Sequence, residues 1–100
     1  MKCCCKNQKD SGKVEELAKI LKVIAEPNRL KILCLLSAGT KCVCGVQETC
    51  CLSQNLVSHH LKVLRDNGLI DYKKEGQWKH YYLDTKNIKK YKSLFNKILT

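Results

Sequence analysis

The segment from Ser53 to Gly68 restricts the fold more than any other part of the chain, because it carries a helix signal at both ends. Ser53 is a favourable N-cap, and the Asn67-Gly68 pair is a typical helix stop. At 100° per residue, one side of this helix carries Leu56, Val57, His60, Leu64 and Asn67, flanked by Leu61. We therefore predict an amphipathic helix that packs this side against a core.

The opposite side of the same helix is polar and suits a DNA major groove. It carries Asn55, Ser58, His59, Lys62 and Asp66, with Gln54 and Arg65 at its edges. Amide side chains can pair with adenine edges, and lysine can contact phosphate or guanine. An ordinary solvated surface is the alternative interpretation. His59 points outward as a candidate DNA contact, whereas His60 is predicted to be a hydrogen-bonded core group.

The whole chain is predicted to contain four helices, of which the Ser53–Gly68 helix is the fourth, then a β-hairpin and a fifth helix. The helical patterns run from Val14 to Ile24, from Pro27 to a stop at Gly39, from Val43 to Cys50, and onward from Asp84 or Thr85, and the strands are Ile70 to Lys74 and Trp78 to Leu83. The third and fourth helices form a helix-turn-helix, and the hairpin supplies a wing.

The predicted fold is therefore mainly α with a β-hairpin, a winged helix-turn-helix. Residues 13–100 are predicted to form one DNA-binding and dimerisation domain. Residues 1–12 are predicted to form a mobile cysteine-rich arm.

The charge balance favours a polyanionic partner. Nineteen Lys and Arg residues oppose nine Asp and Glu residues, which gives a formal net charge of +10. Lys73, Lys74 and Lys79 lie on the predicted wing, where contacts to phosphate or the minor groove would fall. Solvated surface lysines are the alternative interpretation of this charge. Trp78 is predicted to anchor the core rather than to stack on a base.

The apolar residues occur in short periodic runs, none near the roughly 18–20 residues that span a bilayer. The start of the sequence does not resemble a secretory signal, so we expect a cytoplasmic protein with no membrane partner. Eight cysteines in a reducing compartment suit soft metals, metalloids or redox sensing better than disulfides.

Cys42 and Cys44 lie directly in front of the third helix and are the first candidates for a metal site. On a regular helix their side chains would point about 200° apart. They can share one ion only if Cys42 stays outside the helix or if the first turn unwinds. Tetrahedral soft-metal sites want about four ligands, and trivalent arsenic commonly takes three. The candidates for the remaining ligands are Cys3, Cys4 and Cys5.

The other cysteines have simpler interpretations. Cys34 lies in a helix among apolar neighbours, and Cys50 occupies the last apolar position before a turn, so both are predicted to be core residues. Cys51 lies in the turn itself and is predicted to be more exposed.

Together these segments resemble the ArsR/SmtB family of metal-responsive transcriptional repressors. The matching motifs are Glu26-Pro-Asn-Arg-Leu-Lys-Ile-Leu33, Cys42-Val-Cys44, the run from Leu52 to Ile70, and the run from Lys74 to Leu83. The resemblance implies a homodimeric winged helix-turn-helix that binds a palindromic operator when metal-free and releases it when metal binds. It also implies that Cys42 and Cys44 correspond to the third-helix motif of arsenite-, cadmium- and lead-sensing members.

The sequence departs from the family pattern at two places. Gln47 stands where one type of arsenite sensor has its third cysteine, so a third sulfur must come from elsewhere. The Asp/His pattern of zinc and nickel sensors has only Asp84 as a remnant. The cysteines of the N-terminal arm resemble the cadmium- and lead-sensing branch by location rather than by spacing.

We therefore expect a transcriptional repressor that releases operator DNA when a soft metal or metalloid ion binds cysteine thiolates. The expected inducers are cadmium, lead, zinc, bismuth, trivalent arsenic or trivalent antimony, and DNA binding itself needs no cofactor. The expected partners are double-stranded operator DNA, a second copy of the chain and the ion.

Two alternatives stay open. One is a repressor that senses oxidants or reactive sulfur through Cys42, Cys44, Cys50 and Cys51. The other is a metal-buffering or trafficking module. An enzyme is not expected, because no Ser/His/Asp set, phosphate-binding glycine loop or catalytic carboxylate pair can be assembled from the sequence.

Overall fold

The computed structural model describes residues 8–99, with side chains from residue 12 onward. The elements are α1 (Gln8–Ile24), α2 (Pro27–Ser37), β1 (Lys41–Cys42), α3 (Val43–Cys50), α4 (Gln54–Asp66), β2 (Ile70–Glu75), β3 (Trp78–Leu83) and α5 (Thr85–Leu99). The predicted winged helix-turn-helix is confirmed. Helix α1 begins six residues earlier than predicted, so residues 8–12 of the predicted arm lie within it.

Polar side chains cap three of the helices, as their sequence positions require. The Ser53 hydroxyl accepts a hydrogen bond from the Leu56 N–H at 3.3 Å, which confirms Ser53 as the N-cap of α4. A carboxylate caps α2, since Glu26 accepts from the Arg29 N–H at 2.9 Å. At the start of α5, Asp84 accepts from the Asn87 N–H at 3.2 Å.

Helix α4 ends where predicted, and the glycine that follows it is required for two reasons. Gly68 has a φ of +75°, a conformation that other residues adopt only at a cost. A Cβ atom at this position would also lie 2.9 Å from the side-chain nitrogen of Asn87. That nitrogen donates to the Gly68 carbonyl at 2.9 Å, so the turn after α4 is joined to α5.

The hairpin belongs to a three-stranded antiparallel sheet of order β1-β3-β2. Strand β2 pairs with β3 from Ile70 opposite Leu83 to Glu75 opposite Trp78. Strand β1 was not predicted, because two residues carry no recognisable strand pattern. Its pairing places Cys42 opposite His80, so the residues before α3 are joined directly to the wing.

The core lies beneath α4 and is formed by residues from every element except β1 and α5. Its buried members are Ile20, Ile32, Leu36, Val46, Val57, Leu61, Leu64, Leu69, Ile70 and Tyr81. From α4, the core takes the side that carries Val57 and Leu64, so the polar side of that helix faces outward. No described helix between residues 8 and 99 combines the length and the apolar character needed to cross a bilayer.

Three residues that were predicted to be buried are exposed. Leu56 is 49% exposed because it lies about 90° from the centre of the buried arc of α4. Trp78 is 57% exposed because it begins β3 beside the hairpin turn, beyond the core. Cys34 is exposed because it faces an open groove. Placing these side chains in the core was wrong.

That groove runs between α1, α2 and α5 and has a volume of about 670 Å³. Its walls are mostly apolar, and several of the side chains along it are large hydrophobic residues left open to solvent. Leu21 is 42% exposed, Leu30 52% and Phe95 41%. These side chains leave an extended apolar surface uncovered in a single chain.

Candidate functional site

The polar side of α4 forms one continuous exposed surface. Gln54, Asn55, Ser58, His59 and Lys62 are all exposed, as predicted. They are held there because the buried side of the same helix is fixed in the core. This surface carries amide, hydroxyl, imidazole and ammonium groups, which are the groups that can contact base edges and phosphates in a major groove. Their DNA contacts stay a prediction.

Arg65 lies at the edge of this surface and has a partner within the protein. Its Nε donates to Asp71 Oδ1 at 3.1 Å, and its guanidinium carbon lies 4.5 Å from the centre of the Tyr72 ring. The backbone N–H of Tyr72 and then the Arg65 side chain hold the pKa of Asp71 below its ordinary value. Arg65 therefore joins the end of α4 to strand β2 of the wing.

The three wing lysines lie on both faces of the hairpin. Lys74 and Lys79 are directly opposite each other, whereas Lys73 pairs with His80. Like charges in directly opposite positions repel. One of the two has a local partner, since the Lys79 ammonium lies 4.8 Å from the centre of the Tyr72 ring. A bound phosphate would relieve the remaining repulsion, which supports a polyanion at the wing.

The two thiols of the predicted metal site lie together. Cys42 is the N-cap of α3 with an extended backbone (φ −83°, ψ 170°), and Cys44 lies in the first turn of the helix. Their Sγ atoms are 2.6 Å apart. Of the two arrangements that were predicted to let the thiols meet, the structure shows the one in which Cys42 stays outside the helix.

The two sulfurs hold a proton unequally. A hydrogen bond from Cys44, followed by one from the Gly45 N–H, lowers the pKa of Cys42 below the ordinary thiol value. The same contact raises the pKa of Cys44. Cys42 is therefore the better thiolate of the pair, and thiolate is the form that binds metals and reacts as a nucleophile.

The thiol pair suits a soft metal or metalloid, but it supplies only two ligands. In the part of the chain from residue 8 to residue 99, no group of three or more His, Cys, Asp or Glu side chains is placed to hold a metal ion. Cys3, Cys4 and Cys5 lie outside the described residues, so their role stays a prediction. A tetrahedral soft-metal site needs about four ligands, so this pair would require further donors.

The wing contributes a wall to the thiol site that the sequence interpretation missed. A cavity of about 200 Å³ is lined by Cys42, Val43, Cys44, Gln77, Trp78 and Lys79. The contact follows from the pairing of β1 with β3, which brings the hairpin beside the start of α3. The contact between the wing and the thiol site depends on this long-range pairing. The pairing could not be predicted, because a two-residue strand gives too little sequence signal.

The remaining cysteines are placed differently from this pair. Cys50 is half-buried and packs against the core, and burial raises the pKa of its thiol. A raised pKa lowers the thiolate fraction and so makes Cys50 less reactive. Cys51 is exposed, as predicted, and adopts a left-handed backbone with a φ of 55°.

His60 is buried, which confirms its prediction as a core residue. Its Nδ1 atom has no hydrogen-bond partner among the described residues, so the predicted hydrogen bond is not formed at this nitrogen. The nearest acidic oxygen is Oε2 of Glu26, at 3.8 Å. The His60 side chain therefore points from α4 toward the N-cap of α2, away from the exposed polar surface of α4.

Comparison with known proteins places this chain and its fold in one family. Residues 26–72 match the family described as "Bacterial regulatory protein, arsR family". The arsenical resistance operon repressor of Staphylococcus xylosus is 48% identical over 68 residues, which cover 68% of this chain and 64% of that protein. The cadmium resistance transcriptional regulatory protein CadC homolog of Staphylococcus aureus is 37% identical over 75 residues, which cover 74% of this chain and 62% of that protein.

Solved structures agree with the sequence relatives. HlyU from Vibrio cholerae superposes with a TM-score of 0.71 and 32% sequence identity, over 93% of this chain and 98% of that chain. The fold is thus that of winged helix-turn-helix regulators. The family and the relatives are transcriptional regulators rather than enzymes. The chain belongs to the ArsR family of bacterial regulatory proteins, as its motifs predicted. It spans slightly less than two thirds of the length of the two staphylococcal relatives.

Proposed function

We propose that this protein is a transcriptional repressor that binds operator DNA and releases it when a thiophilic metal or metalloid ion binds Cys42 and Cys44. One observation carries the proposal: the two thiols meet at the junction of α3 with the strand that pairs with the wing. The names of the relatives, an arsenical resistance operon repressor and a CadC homolog, support arsenic and cadmium as candidate inducers.

The DNA surface in this proposal is the polar side of α4 together with the wing lysines. Side chains of α4 would contact base edges, and the lysines of β2 and β3 would contact phosphates. The link between Arg65 and Asp71 would hold the helix and the wing at a fixed angle. A change in that angle would weaken all of these contacts together.

The thiols can act on both parts of this surface. Cys42 pairs with His80 of the wing, and Cys44 belongs to α3, which packs against α4. Cys42 and Cys44 would hold the ion, which supplies an electrophilic centre for the two thiolates. An ion held by both sulfurs would link the strand that pairs with the wing to the first turn of α3, and so would bias the orientation of both parts.

A second copy of the chain is the proposed occupant of the groove between α1, α2 and α5. The groove is open and mostly apolar, and exposed patches of this kind commonly mark protein interfaces. A dimer would cover them and present two recognition helices to a palindromic operator in the cytoplasm. Cys3, Cys4 and Cys5, which precede α1, would supply the further sulfurs to the thiol pair of the same chain or of the partner.

Fluorescence anisotropy on the DNA upstream of the gene for this protein would test the proposal. Reduced protein should bind that DNA in a salt-sensitive manner and lose affinity with cadmium, lead, bismuth or arsenite. Cys42→Ser/Cys44→Ser should bind DNA but ignore the ions, whereas the matched control Cys51→Ser, at an exposed thiol outside the groove, should respond like the natural chain. A full response in the double variant would remove the proposed site, and metal binding without DNA affinity would favour a buffering module.

A redox-sensing repressor is the second candidate, because the Cys42 and Cys44 sulfurs are in contact and the pKa of Cys42 is lowered. Peroxide would take two electrons and two protons from the pair to form a disulfide, and would itself be reduced to water. Mass spectrometry after peroxide or persulfide treatment, beside a cadmium titration, separates the two inputs. Cross-linking at low oxidant doses without tight metal binding would favour the redox candidate.

A further inference from the structure

We propose that the outer face of the three-stranded sheet binds single-stranded nucleic acid, with unpaired bases stacked on aromatic side chains of β3. The outer face is the side of the sheet that points away from the core, and it carries Cys42 of β1, Lys73 and Glu75 of β2, and Trp78, His80 and Tyr82 of β3. This activity goes beyond the proposed repression, which needs only duplex DNA. Three observations point to it: a row of aromatic rings, a cavity beside that row and the charges of the sheet.

Three aromatic side chains lie in a row along β3, which is the central strand of the sheet. Tyr81 points into the core, so the alternation of side chains along the strand turns Trp78, His80 and Tyr82 to the opposite side. Trp78 is exposed, the other two are half-buried, and the core includes none of the three. The row therefore offers flat ring surfaces to a partner rather than stability to the fold.

The spacing of the rings suits unpaired bases rather than a duplex. Residues two apart on an antiparallel strand lie about 6.8 Å from each other, whereas successive bases in one strand of a duplex are about 3.4 Å apart. Rings at the wider spacing can each carry a base only where the bases are not stacked on one another. Stacking of this kind tolerates any sequence, since every base has a π-face.

A cavity on the outer face has room for a nucleotide. Its volume is about 540 Å³, and it is lined by Thr40, Lys73, Glu75, His80 and Tyr82. Sites for small molecules typically have volumes of about 300 to 1,000 Å³. The lining supplies two ring surfaces, together with hydroxyl, ammonium and carboxylate groups that can contact the phosphate, the sugar or the polar edge of a base. An unpaired nucleotide therefore matches this lining in size and in chemistry.

The charges of the sheet favour a negatively charged strand. Its three strands contain two acidic residues and four lysines, which are Lys41, Lys73, Lys74 and Lys79. One acidic residue, Asp71, already has a partner, because Arg65 donates to it at 3.1 Å. The other, Glu75, lies 3.7 Å from His80 and would oppose a phosphate in the cavity. Removing the carboxylate of Glu75 should therefore strengthen the binding of a single strand.

Fluorescence anisotropy of a short labelled oligothymidylate, titrated with the full-length reduced protein, tests the inference. The strand should bind in a salt-sensitive manner and should quench the indole of Trp78, the one tryptophan in the chain. An oligouridylate of the same length extends the test to RNA; binding of either strand supports the inference, and binding of neither overturns it. Thymidine monophosphate should bind at least about fivefold more weakly, because it occupies a single ring, and an equal affinity would refute the stacking of successive bases.

Variants of the outer face locate the site. Trp78→Ala should weaken the single strand by about 5- to 150-fold, and Trp78→Phe should recover most of that loss because it keeps an aromatic ring. Glu75→Gln should strengthen binding more than the matched control Glu48→Gln, which removes the same charge from an exposed position on α3. Full single-strand affinity in Trp78→Ala, or equal effects of the two glutamine variants, would refute the assignment to this face.

A variant of α4 separates this inference from the proposed function. Asn55 is exposed on the polar side of α4, outside the sheet. Asn55→Ala should weaken duplex operator binding but leave the affinity for oligothymidylate within about twofold. An equal loss of both ligands would place the single strand on α4 and overturn the inference. Single-strand binding by the sheet without any affinity for the operator would instead remove the proposed function and leave the inference standing.

Discussion

Removing the two lysines that face each other on the wing should sharply reduce the salt dependence of DNA binding. In Lys74→Gln/Lys79→Gln, each chain loses two candidate phosphate contacts, and a dimer loses four. Each contact contributes about 0.9 to the slope of log affinity against log salt concentration. The slope should therefore become shallower by about 3.6, so a fourfold rise in salt should cost the natural protein roughly 150-fold more affinity than the variant.

This variant should fold normally, because the two lysines are exposed and directly opposite each other. Removing their repulsion offsets the loss of the contact between Lys79 and the Tyr72 ring, and both effects are at most about 1 kcal/mol. The matched control is Lys86→Gln/Lys89→Gln, which removes the same charge from exposed positions on α5, outside the wing strands.

The assay is fluorescence anisotropy of labelled operator DNA at four or more salt concentrations, with the slope as the readout. The control should change the slope by less than about one. An unchanged slope in the wing variant would refute the placement of these lysines on the DNA backbone. Equal changes in both variants would show that overall charge, rather than the wing, determines affinity.

Three further predictions concern stability and can be checked by urea denaturation. Ser53→Ala should lower the free energy of unfolding by about 1 kcal/mol, because it removes the cap of α4; no change would show that the cap is not needed. Leu64→Ala should cost about 2–5 kcal/mol, whereas Leu56→Ala should cost less than about 1 kcal/mol, because Leu64 is buried and Leu56 is half exposed. Equal losses of stability in the two variants would contradict the burial of the side of α4 that carries Leu64. The pKa of Asp71 is lowered in the folded chain by the next residue's backbone N–H and by Arg65. The stability that ionised Asp71 contributes is therefore present above the unfolded pKa of about 3.9 and is lost as the pH falls through the lower folded pKa. In Asp71→Asn, the free energy of unfolding should depend less steeply on pH in this acidic range.

The helices could be predicted because their signals are local. Ser53 and Gly68 bracket α4 within one short segment, and each acts on backbone groups a few residues away. The pair Cys42 and Cys44 was also predictable, since the helix geometry left two arrangements in which both sulfurs could meet: Cys42 outside the helix, or an unwound first turn. The structure adopts the first, with Cys42 outside the helix.

The wrong predictions share a different cause, which is that burial depends on contacts between distant segments. Trp78 is a large apolar residue, but the hairpin extends it past the core. Cys34 has apolar neighbours on its own helix, but the groove that it faces is open in a single chain. The wall of the thiol site was missed for the same reason, because it depends on the pairing of Cys42 with His80.

The most direct test of the coupling between the thiols and DNA is the affinity of the protein for cadmium, measured against a competing chelator with and without saturating operator DNA. Coupling between two sites is reciprocal, so an ion that weakens DNA binding must itself be weakened by DNA to the same extent. We expect bound operator to lower the cadmium affinity by about 5- to 150-fold. An identical cadmium affinity for the free and the DNA-bound protein would contradict the account.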